Sequence, residues 1–270
     1  MNKKWISAPY LVWTVGFIII PLLMVVYYGL TDKTGAFTLE NLTAISTPEH
    51  IKALLLSLVL SLISTIICLL LAYPLAMILV SSNTSKTSFI VLLFILPMWM
   101  NFLLRTMAWQ TLLEKSGVIN GILSFLHLPT QNLINTPGAI ILGMVYNFLP
   151  FMVLPIYNVL IKIDSNVINA ARDLGANGIQ TFLKITLPLS FPGIVSGITM
   201  VFVPALTTFV ISTLLGGSKI LLIGNVIEQE FTSASNWHLG SGLSLVLMIF
   251  IILSIIITSI FDKDGEGSAL

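Results

Sequence analysis

Charge is what this sequence has least of. Only 9% of its 270 residues are Asp, Glu, Lys or Arg, against about a quarter in a soluble domain. With 56% hydrophobic residues, its apolar surface is too large to hide in one water-soluble core, so the solvent must be lipid. A net charge of +1 leaves no basic footprint for nucleic acid. The single cysteine, Cys68, excludes an internal disulfide framework and reads as a small packing residue in its apolar run. No G-x-x-x-x-G-K-[ST] phosphate loop is present; Gly216-Gly217-Ser218-Lys219 has the wrong spacing. Neither H-E-x-x-H nor Cys-x-x-Cys occurs, and His50, His127 and His238 are scattered. No catalytic chemistry, metal or cofactor is therefore expected in this chain, and any energy it uses must come from elsewhere.

What it has instead is apolar runs of spanning length. Six are counted, at 8–30, 53–80, 89–113, 138–161, 190–215 and 241–261, each near the roughly 20 residues a bilayer demands. Met1-Asn2-Lys3-Lys4 precedes the first without a small-x-small cleavage site, which predicts an uncleaved helix. With the N-terminus inside, seven Lys/Arg fall in inner segments (Lys3, Lys4, Lys86, Lys162, Arg172, Lys184, Lys263) and four in outer ones (Lys33, Lys52, Lys115, Lys219). That bias predicts cytoplasmic termini and a cytoplasmic segment 162–189. Pro21, Pro74, Pro97, Pro150, Pro155 and Pro204 sit within the first five runs. Each removes a backbone donor, so ordinary kinks and broken, pathway-lining helices are both open readings.

The polar stretch 163–188 interrupts this pattern. Asp164 or Ser165 can cap a short helix whose Val167, Ala170, Ala171 and Leu174 form one apolar stripe, with Arg172 and Asp173 at its flanks. Gly175 stands where a helix ends in a left-handed residue. Asn177 can cap a second short helix, with Ile179, Phe182 and Leu183 as its apolar side and Leu187-Pro188 as its end. A bent pair of helices at the cytoplasmic surface is predicted.

The spacing Ala170-Ala171, Gly175, Ile185, Leu187-Pro188 resembles the EAA signature of ABC importer permeases, and it stands before the second-last run, as in that family. The resemblance implies an all-α integral membrane fold: one permease domain over 1–270 with six transmembrane helices in the type I importer architecture. Asn169, Ala170, Ala171, Arg172, Asp173, Gly175, Ile185, Leu187 and Pro188 would then form the coupling element that docks on a separate ATPase. Where the family has glutamate before the two alanines, this chain has Asn169, which keeps hydrogen bonding but drops a charge.

Further stretches, "FTLENL" at 37–42, "AYPLAMIL" at 72–79, "LPFMVLPIY" at 149–157, "AARDLGA" at 170–176 and "LLIGNVI" at 221–227, are similar to the first permease subunit of spermidine/putrescine importers. This implies a second permease, a pair of ATPase subunits that bind ATP and Mg, an extracytoplasmic polyamine-binding protein, and a bacterial plasma (inner) membrane. Relatives with the same loop carry inorganic anions, iron or phosphonates, which keeps another small solute open. A stand-alone secondary transporter, with 169–188 as a surface amphipathic loop, is the reading from a different class.

A path for ammonium groups calls for carboxylates, carbonyls or aromatic faces. Trp99, Asn101, Tyr146, Asn147, Tyr157 and Asn158 are the candidates in or near spans. Asn147 and Asn158, eleven residues apart, can share one helix face, being about three turns apart. Thr213 stands where the family often has aspartate, so charge recognition can fall to Glu228 and Glu230 as an outer cation funnel or leave those two as solvated acids. Arg105 is expected to snorkel or find a partner away from the path, Glu114 lying about 13 Å on. Gly193 and Gly197 make a small-x-x-x-small pair, for packing within the chain or against a second permease.

Overall fold

The computed structural model describes residues 8–81 and 98–267, with side chains from 9 as far as 258 except that of Ser218. The described chain is helical. Helix α1 runs as Ala8–Thr14, a π-turn over Val15–Ile19 and Ile20–Gly29; the π-turn falls just before Pro21, whose missing N–H breaks the regular ladder. Helix α2 is Pro48–Ser81, α3 Phe102–Leu113, α4 Val118–Phe125 and α5 Pro137–Leu160. Helix α6 is Ser165–Asp173, and α7 runs over Gly178–Leu189 with a π-turn at Phe182–Thr186. Then follow α8 Phe191–Thr207, α9 Val210–Gly216, α10 Ile223–Thr232 and α11 Trp237–Gly267.

Among the described residues, four helices are long and apolar enough to cross a membrane: Pro9–Gly29, Pro48–Ser81, Pro137–Leu160 and Trp237–Thr258. The pair Gly178–Leu189 and Phe191–Thr207, bent by 63°, brings the number to five. Residues 89–97 of the expected run 89–113, Pro97 included, lie outside the described residues. Its second half is α3, and the chain breaks before it, where Asn101 accepts from the backbone N–H groups of Leu103 and Leu104.

The core is built by α2, α5 and α8. On α5, Ile140, Met144, Phe148, Met152, Ile156 and Leu160 recur every four residues and face inward. The facing stripe of α2 is small: Ser57, Ser61, Ser64, Cys68, Ala72 and Ala76 are all buried. Small residues let the two backbones close up where hydrocarbon outside gives no hydrophobic drive, and the serines need no outside partner. Ser57 donates to the Ala53 carbonyl at 2.9 Å, and Ser64 meets the Met144 sulfur at 3.3 Å.

Gly193 and Gly197 do the same for α8 against α5. A Cβ at Gly193 would sit 2.9 Å from the Pro155 carbonyl oxygen, and one at Gly197 2.6 Å from the Met152 sulfur. The pair therefore packs within this chain. Gly193→Leu should lower the thermal midpoint of the purified protein by a destabilisation of about 1–3 kcal/mol, since backbone atoms cannot step aside. An unchanged midpoint in detergent would contradict that contact.

The run 190–215 is not one helix. Helix α8 ends at Thr207, Thr208 is extended (ψ 137°), and α9 starts two residues later. Pro204 weakens the last turn, and a distant segment takes the break: Gly224 lies so close that a Cβ would be 2.7 Å from the Thr207 carbonyl oxygen. Asn225 donates to the Phe209 carbonyl at 3.1 Å and to Thr213 Oγ1 at 2.8 Å, while its Oδ1 accepts from Leu222 N–H at 3.1 Å and from Ser212. A backbone break at membrane depth is tolerated only when freed groups are met in this way.

Candidate functional site

The polar stretch forms two short helices joined by a tight bend. Asp164 accepts from the Asn166 N–H at 2.9 Å and starts α6. Gly175 ends it with φ at +85°, in left-handed space. Asn177 and Gln180 then cap α7 reciprocally, Asn177 Oδ1 accepting from Gln180 N–H and Gln180 Oε1 from Asn177 N–H, both at 2.9 Å.

The expected single stripe on α6 is divided between two faces. Ala171 is buried toward the bundle, whereas Val167, Ala170 and Leu174 are exposed, Leu174 at 89%. Positions 170 and 171 are a third of a turn apart, so one alanine seats the helix while the other is presented. Ile179 (71%) and Leu183 continue the exposed apolar surface onto α7. Asn169, Arg172, Asp173 and Pro188 are exposed beside it, while Ile185 and Leu187 are half-buried. Arg172 also lines a cavity of about 290 Å³ behind the element, with Met77, Val80, Leu160 and Phe182.

Pro188 does not end α7. The helix continues to Leu189, and the bend falls at Ser190, because Pro192 has no N–H with which to extend the ladder. Ser190 is buried, bonds the Leu187 carbonyl at 2.9 Å and meets the Tyr73 hydroxyl at 2.7 Å. Phe182 stands edge-on to the Tyr73 ring at 5.6 Å between centroids. The exposed patch is thus tied through Tyr73 to α2 and through the bend to α8.

The pathway candidates are dispersed. Asn147 is buried, donating to the Gly143 carbonyl at 2.9 Å and to Thr106 at 3.5 Å, with no partner for its Oδ1 among the described residues. Asn158, on the same face three turns on, is exposed, since α3 covers only the Asn147 end of that face among the described residues. Tyr146 packs edge-on against Trp109 at 5.4 Å, and Tyr157 is half-buried against the core. Trp99 is exposed, and Asn101 serves as the α3 cap. Thr213 holds Asn225, the residue that sequence reasoning missed. Its signal was faint, a lone amide in "LLIGNVI" whose partners lie up to 16 positions upstream.

Glu228 and Glu230, two positions apart on α10, point about 160° apart and border different cavities. Glu228 borders a largely apolar cavity of about 420 Å³ with Phe209, Phe231 and Met248; Glu230 borders another, of about 390 Å³, with Glu49, His50, Lys52 and Lys219. Arg105 makes no ion pair with Glu114: it is 7% exposed, and its Nε and Nη1 have no acceptor among the described residues.

A bundle of long apolar helices that carries a bent, apolar-tipped element defines a multi-pass α-helical membrane protein. The chain belongs to the family described as "Binding-protein-dependent transport system inner membrane component", whose model matches residues 5–263. It is a membrane component of a transport system. Its relatives include the Spermidine/putrescine transport system permease protein PotB of Haemophilus influenzae, 38% identical over 254 residues that cover 91% of this chain and 88% of that protein. The Escherichia coli K12 protein of the same name is 38% identical, with 91% and 92% covered. A PotB homolog of Mycoplasma genitalium is 30% identical, with 88% and 82% covered. The fold is similar to that of a bacterial ABC transporter involved in import of the acidic polysaccharide alginate (TM-score 0.82, 16% identity, 97% of this chain and 96% of that one). It is also similar to the MetNI methionine ABC transporter (TM-score 0.59, 18% identity, 80% and 95% covered).

Proposed function

We propose that this chain is one half of the translocation pore of an ATP-driven importer for polyamines, spermidine or putrescine. The observation that carries the coupling role is the exposed apolar surface of Leu174, Ile179 and Leu183, held by a capped, glycine-bent pair of helices. The polyamine assignment is supported by 38% identity to permeases of that name over nine-tenths of the chain.

In this reading the whole chain is one permease domain. The run 89–113 completes six spans, and both termini and the coupling segment 163–188 face the cytoplasm. A second permease completes the pore. Two ATPase subunits hold ATP and Mg, and an extracytoplasmic binding protein delivers the solute. The ATPase seats on the Leu174–Ile179 surface, with Asn169, Arg172, Asp173 and Pro188 at its rim. Closure of the ATPases moves this element as a body. The Ser190 bend and its Tyr73 contact pass the motion to α8 and α2, and the Gly193–Gly197 contact passes it to α5. Helix α5 carries Tyr146, Asn147, Tyr157 and Asn158, so it turns the candidate solute-facing groups between the two sides. Trp99 and Asn101 at the head of α3, and Thr213 on α9, border the same route.

The test is uptake of labelled spermidine by the complete transporter in proteoliposomes. Uptake should require ATP hydrolysis and survive collapse of ion gradients. Uptake by this chain alone, driven by a gradient, would establish the secondary-transporter reading. ATP-driven uptake of an inorganic anion, iron or a phosphonate with none of spermidine would establish another solute. Because Glu228 and Glu230 serve separate cavities, Glu228→Gln and Glu230→Gln should act independently. The double variant's change in half-maximal spermidine concentration should equal the product of the single changes. A double effect well beyond that product would restore the joint funnel.

A further inference from the structure

Helix α4 has its polarity reversed. Its buried polar side chain, Asn120, points inward, donating to the carbonyls of Glu114 at 3.2 Å and Gln131 at 3.0 Å and accepting from Gln131 N–H at 2.9 Å. Outward stand Val118, Ile122, Phe125 and Leu126, at the i, i+4, i+7 and i+8 spacing of one helix face, with Phe125 82% exposed. Between Gly117 and Leu126 there is no charged residue, and Ser124 is the one exposed polar side chain. In water such a face has no compensating interaction.

The position of α4 says what covers it. Gly117 folds onto the last turn of α3 so tightly that a Cβ would lie 2.5 Å from the Thr111 carbonyl oxygen and 2.6 Å from that of Leu112. Helix α4 therefore begins beside the end of α3, and the connection 126–136 leads from its end into α5 at Pro137. Helix α5 is long and apolar enough to cross a membrane, and α4 lies in the connection between the end of α3 and the start of α5. Its Ile119 packs back on the core, which fixes the other face outward.

We propose that α4 is an interfacial helix resting in the outer leaflet, with Ile122 and Phe125 among the acyl chains. This rests on α3 and α5 crossing the membrane as in the function proposed above. A docked protein would be met by a rim of hydrogen-bonding groups around an apolar centre. The α4 face itself offers only Ser124; the exposed polar side chains around it, Glu114, Lys115 and Ser116 before it and His127 after it, stand at the helix ends, where lipid headgroups flank an acyl-buried face. The second anchor at the outer end of α3 also braces α9, which packs on α3 and is tied to the 126–136 segment by the Asn135 N–H to Leu215 carbonyl bond of 2.8 Å.

The experiment uses the complete transporter in vesicles of phosphatidylethanolamine and phosphatidylglycerol, with Cys68→Ala and a nitroxide on Phe125→Cys. Collision with oxygen is compared with collision with a water-soluble nickel chelate, with Phe17→Cys on α1 as the lipid control and Lys33→Cys as the water control. The expected result is that position 125 follows position 17, with oxygen favoured several-fold over nickel. Position 125 behaving like 33, while 17 stays lipid-like, would overturn the proposal and leave the spanning reading intact. Protection from both reagents that is lost when the binding protein or second permease is omitted would overturn it in favour of a protein contact. Nickel access at position 17 as well would remove the membrane-spanning reading from which the proposal starts.

Discussion

Leu174→Asp combined with Ile179→Asp should abolish ATP-driven uptake while leaving the protein inserted, folded and obtained in normal yield. Both side chains are exposed, at 89% and 71%, so no contact within the chain is lost. Substitutions at such surface positions change stability by no more than about 0.5 kcal/mol. Their effect must then fall on whatever the surface meets. If they are the apolar anchors of an ATPase interface, burying two unpaired carboxylates there costs on the order of 2–4 kcal/mol or more, which weakens docking by about 30- to 1000-fold. The measurement pairs uptake in proteoliposomes with retention of the ATPase on the purified permease. Full retention and full uptake would mean that this surface faces nothing that matters to transport.

Gly175→Val should reduce uptake at least about tenfold through geometry alone. The backbone at 175 has φ +85°, and a Cβ there would meet nothing within 4 Å, so there is no clash to confuse the result. What a valine meets is its own backbone, at a cost of roughly 1–2 kcal/mol, and more for a β-branched residue. The cheapest relief is to reopen the bend between α6 and α7. That separates Leu174 from Ile179 and divides the docking surface. Gly175→Asn provides the control, because asparagine tolerates left-handed space and should keep most of the uptake. Equal loss in both variants would point to side-chain volume rather than to the bend.

The features legible in the sequence were those decided locally. Asp164, Gly175 and Asn177 act on backbone groups within three residues of themselves, and each sits where its capping chemistry places it. Long helices such as α2 and α5 were legible because hydrophobic runs over 20 residues leave few alternatives in lipid. The break after Thr207 was hidden, because 190–215 is apolar on both sides of it and the groups that stabilise it, Gly224 and Asn225, arrive from further along the chain. The division of the α6 stripe was hidden for a related reason. Ala170 and Ala171 are chemically identical, and only the position of the bundle decides which one is covered. Arg105 shows the same limit from the other side: the sequence left snorkelling and a distant partner both open, and only the packing around α3 shows how far the side chain is buried.

The most direct measurement places a photo-crosslinking amino acid at Leu174 in the transporter as it sits in native membranes. Irradiation should join this chain to a phosphate-loop ATPase, with capture changing in extent between nucleotide-free and ATP-bound states. Crosslinks to phospholipid alone, or none in either state, would show that the bent helix pair touches no motor and would contradict its role in coupling.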